Sequence, residues 1–301
     1  MSSPIINFAK TRIAPTPSGF LHLGNVLSFA ITAALAEKTG AKILLRIDDL
    51  DRARTNKLYV HDIFDTLNFL EIPWDEGPRS VKDFEDGYSQ IHRMAIYHSA
   101  LQLLAGEGKV FACTCSRRQL ANDEPCTCFK RQIPLTRENA SWRLITANRP
   151  VPAVKSFDGN VIHAALPTEM HDFIVKKKDG FPAYQLTSLI DDLFYGVDLV
   201  VRGEDLWAST LAQHQLASAL GEDNFGDVTF YHHPLLMETP GKKLSKSAGA
   251  TSIKYLRESG EKAAAVYQLI ASMLGIKETV VNWRKLGEIA VNRIPGQQNV
   301  H

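Results

Sequence analysis

"RIAPTPSGFLHLGN", Arg12 to Asn25, puts two prolines and a glycine between the strand-like run "TRIA" and the helical period "GNVLSFAITAALAEKTG", which opens on a second glycine. A loop that leaves a strand and enters a helix aims backbone N–H groups and the positive end of the helix dipole at one point, where a phosphate can sit. Glycines let that phosphate approach the backbone, and prolines stiffen the loop. His22, just before Gly24, is placed to donate to a phosphoryl oxygen as charge develops. The plainer alternative is a capped helix with a surface histidine. After the helix, "AKILLRI" from Ala41 to Ile47 is a continuous apolar run typical of a strand buried on both faces. Strand, loop, helix and strand together predict an α/β fold with a parallel sheet.

Further along, helical periods span roughly Asn56 to Leu70 and Gly87 to Leu104. From about Val110 to Pro167 cysteines, short runs and prolines replace them, which reads as an insertion. The α/β rhythm returns with "PAYQLTSLIDDLFYG" (helix), "DLVVRG" (strand), "WASTLAQHQLASALG" (helix) and "VTFYHH" (strand). "METPGKKLSKSAGA" is then a polar loop, and Ser252 to Ile276 reads as helical. The expected divisions are 1–109 and 171–240 as two halves of one catalytic domain, 110–170 as the inserted lobe, and 241–301 as a lysine loop with a helical segment.

Thirty-four Lys and Arg against 33 Asp and Glu leave the 301-residue chain near neutrality, which neither demands nor excludes a nucleic-acid partner. No run approaches the ~20 apolar residues of a membrane span, and no basic-then-apolar leader opens the chain. A cytoplasmic protein without a membrane partner is expected. All four cysteines, Cys113, Cys115, Cys126 and Cys128, cluster as two CxC pairs. In a reducing compartment such a set favours a closed, structural zinc site over disulfides, with four unliganded thiols as the alternative. Arg117, Arg118, Lys130 and Arg131 flank it and suit either nucleic-acid phosphates or a solvated rim. In "KKLSKS", Lys243 and Lys246 stand three apart on a glycine-flanked loop, where two ammonium groups can neutralise a triphosphate, or simply form a solvated turn.

The proline-rich HxG-type loop, followed far downstream by a KxSK-type loop, resembles the class I aminoacyl-tRNA synthetases. "TRIAPTPSGFLHLGN", "LLRIDDLDRAR", "FPAYQLTSLIDDLFYGVDLVVRGEDL" with "STLAQHQLASALG", and "KKLSKS" resemble, in order, four blocks of the glutamyl-tRNA synthetases. The resemblance implies a Rossmann-type catalytic domain with an inserted zinc-knuckle lobe facing the tRNA acceptor end. It implies an ATP-dependent ligase that uses magnesium to form glutamyl-adenylate and passes glutamate to tRNA.

Carried onto this sequence, His22, Gly24, Lys243 and Lys246 are the implied catalytic residues. Pro15, Asn25, Glu204, Leu244 and Ser245 join them around ATP. Arg12, Ala14, Thr16, Asp48, Tyr184, Ser188 and Arg202 are implied for glutamate: the arginines for carboxylates, Tyr184 near the side chain, Asp48 for the ammonium group. Three positions depart from the usual pattern, with Asp48 in place of glutamate, Ser188 of asparagine and Thr16 of serine. The sequence ends soon after its lysine loop, which resembles the short glutamyl-Q tRNA(Asp) synthetase branch, whose acceptor is queuosine in tRNA(Asp). "AGATSIKYLRESG" after the loop looks nearer to the full-length enzymes. A monomer is expected. A minimal synthetase charging tRNA(Glu), an adenylating enzyme with another acceptor, and a non-catalytic tRNA-binding paralogue stay open. A dinucleotide-dependent dehydrogenase is excluded by the lack of GxGxxG in the first loop.

Overall fold

In the computed structural model, which describes residues 7–116, 119, 126–239, 242–243 and 252–293, the chain opens with the expected unit. β1 (Lys10–Ile13) leads into α1 (Leu23–Thr39), and β2 (Lys42–Leu45) returns parallel to β1 with Arg12 opposite Leu44. α1 stops at Gly40, whose φ of 76° lies in the left-handed region that a residue without Cβ enters freely.

β5 (Ala153–Ser156), β6 (Val161–His163), β8 (Leu199–Gly203) and β9 (Thr229–His233) complete a six-stranded sheet in the order β2-β1-β8-β9-β5-β6. Every neighbouring pair is parallel except β5 with β6. Because β1 has β2 on one side and β8 on the other, loops leaving their carboxyl ends diverge and open a crevice there. Alternate strand residues feed two apolar layers: Ile13, Leu45 and Val201 face one, while Leu44, Val200 and Phe230 face the other.

A second, three-stranded antiparallel sheet is formed by β3 (Val110–Cys113), β4 (Ser141–Leu144) and β7 (Ile174–Lys176). This differs from the expected division at 110 and 170. β5 and β6 lie inside the stretch read as the insertion yet extend the main sheet. Val154 is fully buried in its core, and Lys155 and Ser156 pair with Thr229 and Phe230 of β9. The last lobe strand, β7, falls after the expected boundary.

The other helices are α2 (Lys57–Phe69), α3 (Met94–Gly106), α4 (Tyr184–Phe194), α5 (Trp207–Leu220), α6 (Ile253–Glu258), α7 (Ala263–Met273) and α8 (Trp283–Arg293). The period expected from Gly87 becomes a regular α-helix only at Met94, because residues 84–93 form irregular turns that fold Gln90 and Arg93 inward. The helix expected over 252–276 is two, broken near Gly260 with its φ of 86°. Among the described residues no helix is long and apolar enough to cross a membrane.

α8 packs flat on α1 because Gly287 has no side chain. A Cβ there would sit 2.5 Å from the Ala34 Cβ and closer still to the Ala30 carbonyl oxygen. Gly287→Ala is therefore expected to destabilise the protein by about 1–3 kcal/mol through overpacking, read as a lower urea midpoint at unchanged slope. An unchanged midpoint would show that the two helices do not meet this way.

Candidate active site

A cavity of about 870 Å³ occupies the crevice at the carboxyl ends of β1 and β8. Arg12, Ala14, Pro15, Thr16, His22, Gly24 and Asn25 line it from the first loop, and Asp48, Tyr184 and Arg202 from three other elements. One chamber thus gathers residues up to 190 positions apart, as the carboxyl-edge rule for open α/β sheets requires.

The start of α1 explains the HxG spacing. His22 is the N-cap: its Nδ1 accepts from the Gly24 N–H at 3.1 Å, and Asn25 Oδ1 accepts from the His22 N–H at 3.0 Å. With Nδ1 an acceptor, a neutral ring carries its proton on Nε2. A Cβ on Gly24 would come within 3.1 Å of the imidazole, so glycine is what allows the ring to fold back over the helix end. The capped-helix reading is what the structure shows, and the capped end lines the cavity.

Five charged side chains form the floor. Arg12 and Arg202 are the penultimate residues of β1 and β8, both buried, and Arg46 follows β2 directly. Arg46 grips Asp48 with two parallel bonds, Nε to Oδ1 at 2.8 Å and Nη2 to Oδ2 at 3.0 Å. Its Nη1 donates to Asp192 Oδ1 at 2.7 Å, and Arg12 Nε donates to that same oxygen at 3.1 Å. Burial pushes the Asp48 carboxyl above its ordinary value, against the pull of Arg46. Arg202 gives Nη2 to Gln213 Oε1 at 3.0 Å, while its Nε and Nη1 have no partner. Burial pushes that guanidinium down to about 10, so at neutral pH it is a charged, under-bonded group in the cavity wall. Three buried cations face two anions, leaving a site whose surplus positive charge suits an anion.

Tyr184 opens α4 and is 42% exposed at the mouth, with its hydroxyl close enough to Arg202 to influence the latter's charge. Ser188 lies one turn deeper and does not line the cavity. It is buried and accepts from Arg46 Nη2 through Oγ at 3.4 Å, an expected ligand residue that instead holds a neighbour. Glu204 is exposed and outside the lining, its carboxylate accepting from the Leu235 N–H at 3.4 Å. Lys243 sits in a two-residue strand, while Leu244, Ser245 and Lys246 lie outside the described residues, as do Arg117 and Arg118.

Arg46 is a cavity residue that reading the sequence missed. A lone arginine closing an otherwise apolar parallel strand was its signal, since that end of the sheet faces ligand. Lys254 and Tyr255, from α6, also line the mouth, and only the folding back of residues 252–258 brings them there. The Ile253 N–H donates to the Leu21 carbonyl at 2.8 Å, which ties this helix to the first loop.

In the small lobe, all four thiol sulfurs lie within 4.8 Å of one another. Cys113 to Cys126 is 3.6 Å, Cys115 to Cys126 is 3.8 Å and Cys115 to Cys128 is 3.5 Å. A tetrahedral zinc with Zn–S bonds of about 2.3 Å separates its sulfurs by about 3.8 Å, so donor set and dimensions fit that ion. Lys130 and Arg131 are exposed beside the cluster.

Residues 9–128 and 138–282 match the family described as tRNA synthetases class I (E and Q), catalytic domain. A glutamyl-Q tRNA(Asp) synthetase from Synechococcus sp. (strain CC9605) is 38% identical over 270 residues, covering 88% of this chain and 83% of that protein. Glutamate–tRNA ligase 2 of Syntrophus aciditrophicus (strain SB) is 31% identical over 278 residues, 87% of this chain, which spans only 56% of the ligase. The crystal structure of a glutamate-tRNA synthetase from Elizabethkingia anophelis shares the fold, with a TM-score of 0.73 over 97% of this chain and 68% of that one, at 21% identity.

Metal analysis of the purified protein is expected to find about one zinc per chain, lost in Cys126→Ser/Cys128→Ser together with increased proteolysis of the lobe. A metal-free parent protein would remove zinc from the lobe.

Proposed function

Because this chain belongs to the class I glutamyl and glutaminyl tRNA synthetase family, we propose that it activates glutamate with ATP and transfers it to queuosine of tRNA(Asp). It is a ligase of the class I aminoacyl-tRNA synthetase type, in the branch that activates glutamate. The observation that carries the amino-acid assignment is Arg202, a buried guanidinium with two unpartnered donor atoms beside Tyr184 and Arg12. A substrate side chain ending in a carboxylate supplies those bonds and cancels the surplus charge. Glutamine supplies an uncharged oxygen and leaves the cation buried, a loss of about 1.5–3 kcal/mol for each charged hydrogen bond forgone.

In this reading Arg12 takes the α-carboxylate side of the amino acid, Asp48 accepts from its ammonium group, and Ala14 and Thr16 lie along the first loop beside it. ATP lies over Pro15, Gly24 and Asn25 with its phosphates at the head of α1. One α-carboxylate oxygen attacks the α-phosphorus in line. The bond to the β-phosphate oxygen breaks, and pyrophosphate leaves. Such a step asks for positioning and charge stabilisation rather than a side-chain nucleophile. His22 Nε2–H and the ammonium groups of Lys243 and Lys246 meet the developing negative charge. Magnesium, when present with ATP, screens the phosphates. A hydroxyl of the acceptor then attacks the acyl carbon and AMP departs.

The acceptor assignment rests on the glutamyl-Q relatives, which match this chain along most of both lengths. With labelled glutamate, ATP and magnesium, tRNA(Asp) carrying queuosine is expected to be labelled, while the same tRNA without queuosine and tRNA(Glu) are not. Labelling of tRNA(Glu) would make the protein a minimal glutamyl-tRNA synthetase, and glutamate-dependent pyrophosphate exchange with no tRNA labelled would point to another acceptor. Lys246→Ala is expected to slow that exchange by about 100-fold or more without altering stability, since removing a charge-stabilising donor costs on that order. Unchanged exchange would take Lys246 out of the mechanism.

A further inference from the structure

Asp192 is a member of the ionic floor that has no part in the proposed chemistry. It does not line the cavity, its carboxylate is fully buried, and Oδ2 has no hydrogen-bond partner. For stability alone such a residue is a poor choice, because a buried carboxylate with one unsatisfied oxygen costs more than an apolar side chain of similar size. What distinguishes it is its Oδ1, which accepts from Arg12 Nε at 3.1 Å and from Arg46 Nη1 at 2.7 Å. Those two arginines come from β1 and from the end of β2, and both line the cavity. Arg46 spends its other edge on Asp48. The chain Arg12, Asp192, Arg46, Asp48 thus runs unbroken beneath the chamber, anchored on α4. Burial would raise the Asp192 carboxyl, but Arg12, Arg46 and Arg202 outweigh it and hold the group below its ordinary value.

We propose that Asp192 is a positioning residue for the amino-acid substrate: by holding Arg12 and Arg46 on one oxygen, it sets the spacing between the cation that meets the substrate's carboxylate and the anion that meets its ammonium. It touches neither ligand. The assignment rests on the reading of this chamber as the glutamate site. Arg12 has one other partner, the Val201 carbonyl at 3.2 Å from Nη1, which fixes one edge of the guanidinium and leaves Nε to Asp192. Arg46 otherwise has the long Ser188 contacts, at 3.4 and 3.5 Å, and an ion pair with Asp191 at 4.0 Å, so the short bonds to Asp192 and Asp48 define its plane. Displacing Arg46 displaces Asp48 with it, because two parallel bonds join them. ATP, placed over the first loop and the head of α1, shares none of these bonds, so the effect of losing Asp192 falls on the amino acid.

Asp192→Asn keeps the shape of the side chain and removes the charge that orders the two arginines. In pyrophosphate exchange with the full chain, the KM for glutamate is expected to rise about tenfold or more while the KM for ATP stays within about twofold. Arg46→Lys keeps the positive charge but lacks the planar fork that spans both carboxylates, and the same split is expected. It decides the matter alone if Asp192→Asn does not fold. Equal rises in both constants, or no rise in either, would overturn the assignment and leave the functional reading intact. An unsubstituted protein with no glutamate-dependent exchange would overturn both together.

Discussion

Asp191 and Asp192 are adjacent carboxylates on α4, neither with exposed surface, and each collects donors from a different part of the chain. Asp191 accepts from Arg93 twice, at 2.8 and 3.1 Å, from the Tyr97 hydroxyl at 2.6 Å and from Gln90 at 2.9 Å. Asp192 accepts from Arg12 and Arg46. Two side chains thus join the turns before α3 and the first two strands to the helix that presents Tyr184. Removing one partner of a buried pair strands the other charge at about 3–5 kcal/mol, a large share of the stability of a domain this size. The ionic floor therefore serves as a device of geometry, with hydrophobic burial on both faces of the sheet supplying the driving force.

The same floor explains how the chamber combines opposite charges without collapsing. Asp48 is held by Arg46 and Asp192 by Arg12 and Arg46, and the surplus falls on Arg202, whose Nε and Nη1 have no hydrogen-bond partner among the described residues. Above it, the head of α1 supplies a second kind of positive field from backbone N–H groups, and His22 caps that helix. In the proposed function the amino-acid end of the chamber is thus built from side-chain charge, the nucleotide end from backbone dipoles.

The small lobe rests on different physics. One face of its three-stranded sheet buries Val110, Leu144 and Val175 in the main core, and a separate small cluster gathers Phe111, Cys113 and Cys128. The four cysteine sulfurs, all within 4.8 Å of one another, are spaced so that one bound ion would add the cohesion this small cluster lacks.

Much of this was legible along the chain. The loop at Arg12–Asn25, the buried strand at Ala41–Ile47 and the CxC pairs each express a local rule, so the parallel βαβ opening, the capped helix start and the metal-sized cysteine cluster could be read from spacing. Arg12, Asp48, Tyr184 and Arg202 could be nominated by resemblance, and the fold places all four in one cavity. Strand pairing could not be read, because β5 looks like any short run in the insertion until β9 lies beside it. Nor could the duties of Ser188, Arg46 and Asp192. A serine, an arginine and an aspartate each suit a surface, a ligand or an ion pair, and only distances across 142–180 residues of sequence decide among these. Local chemistry is written in the sequence because it depends on neighbours along the chain; the ionic floor was decided by tertiary structure because a buried charge takes its meaning from whatever the fold brings within 3 Å of it.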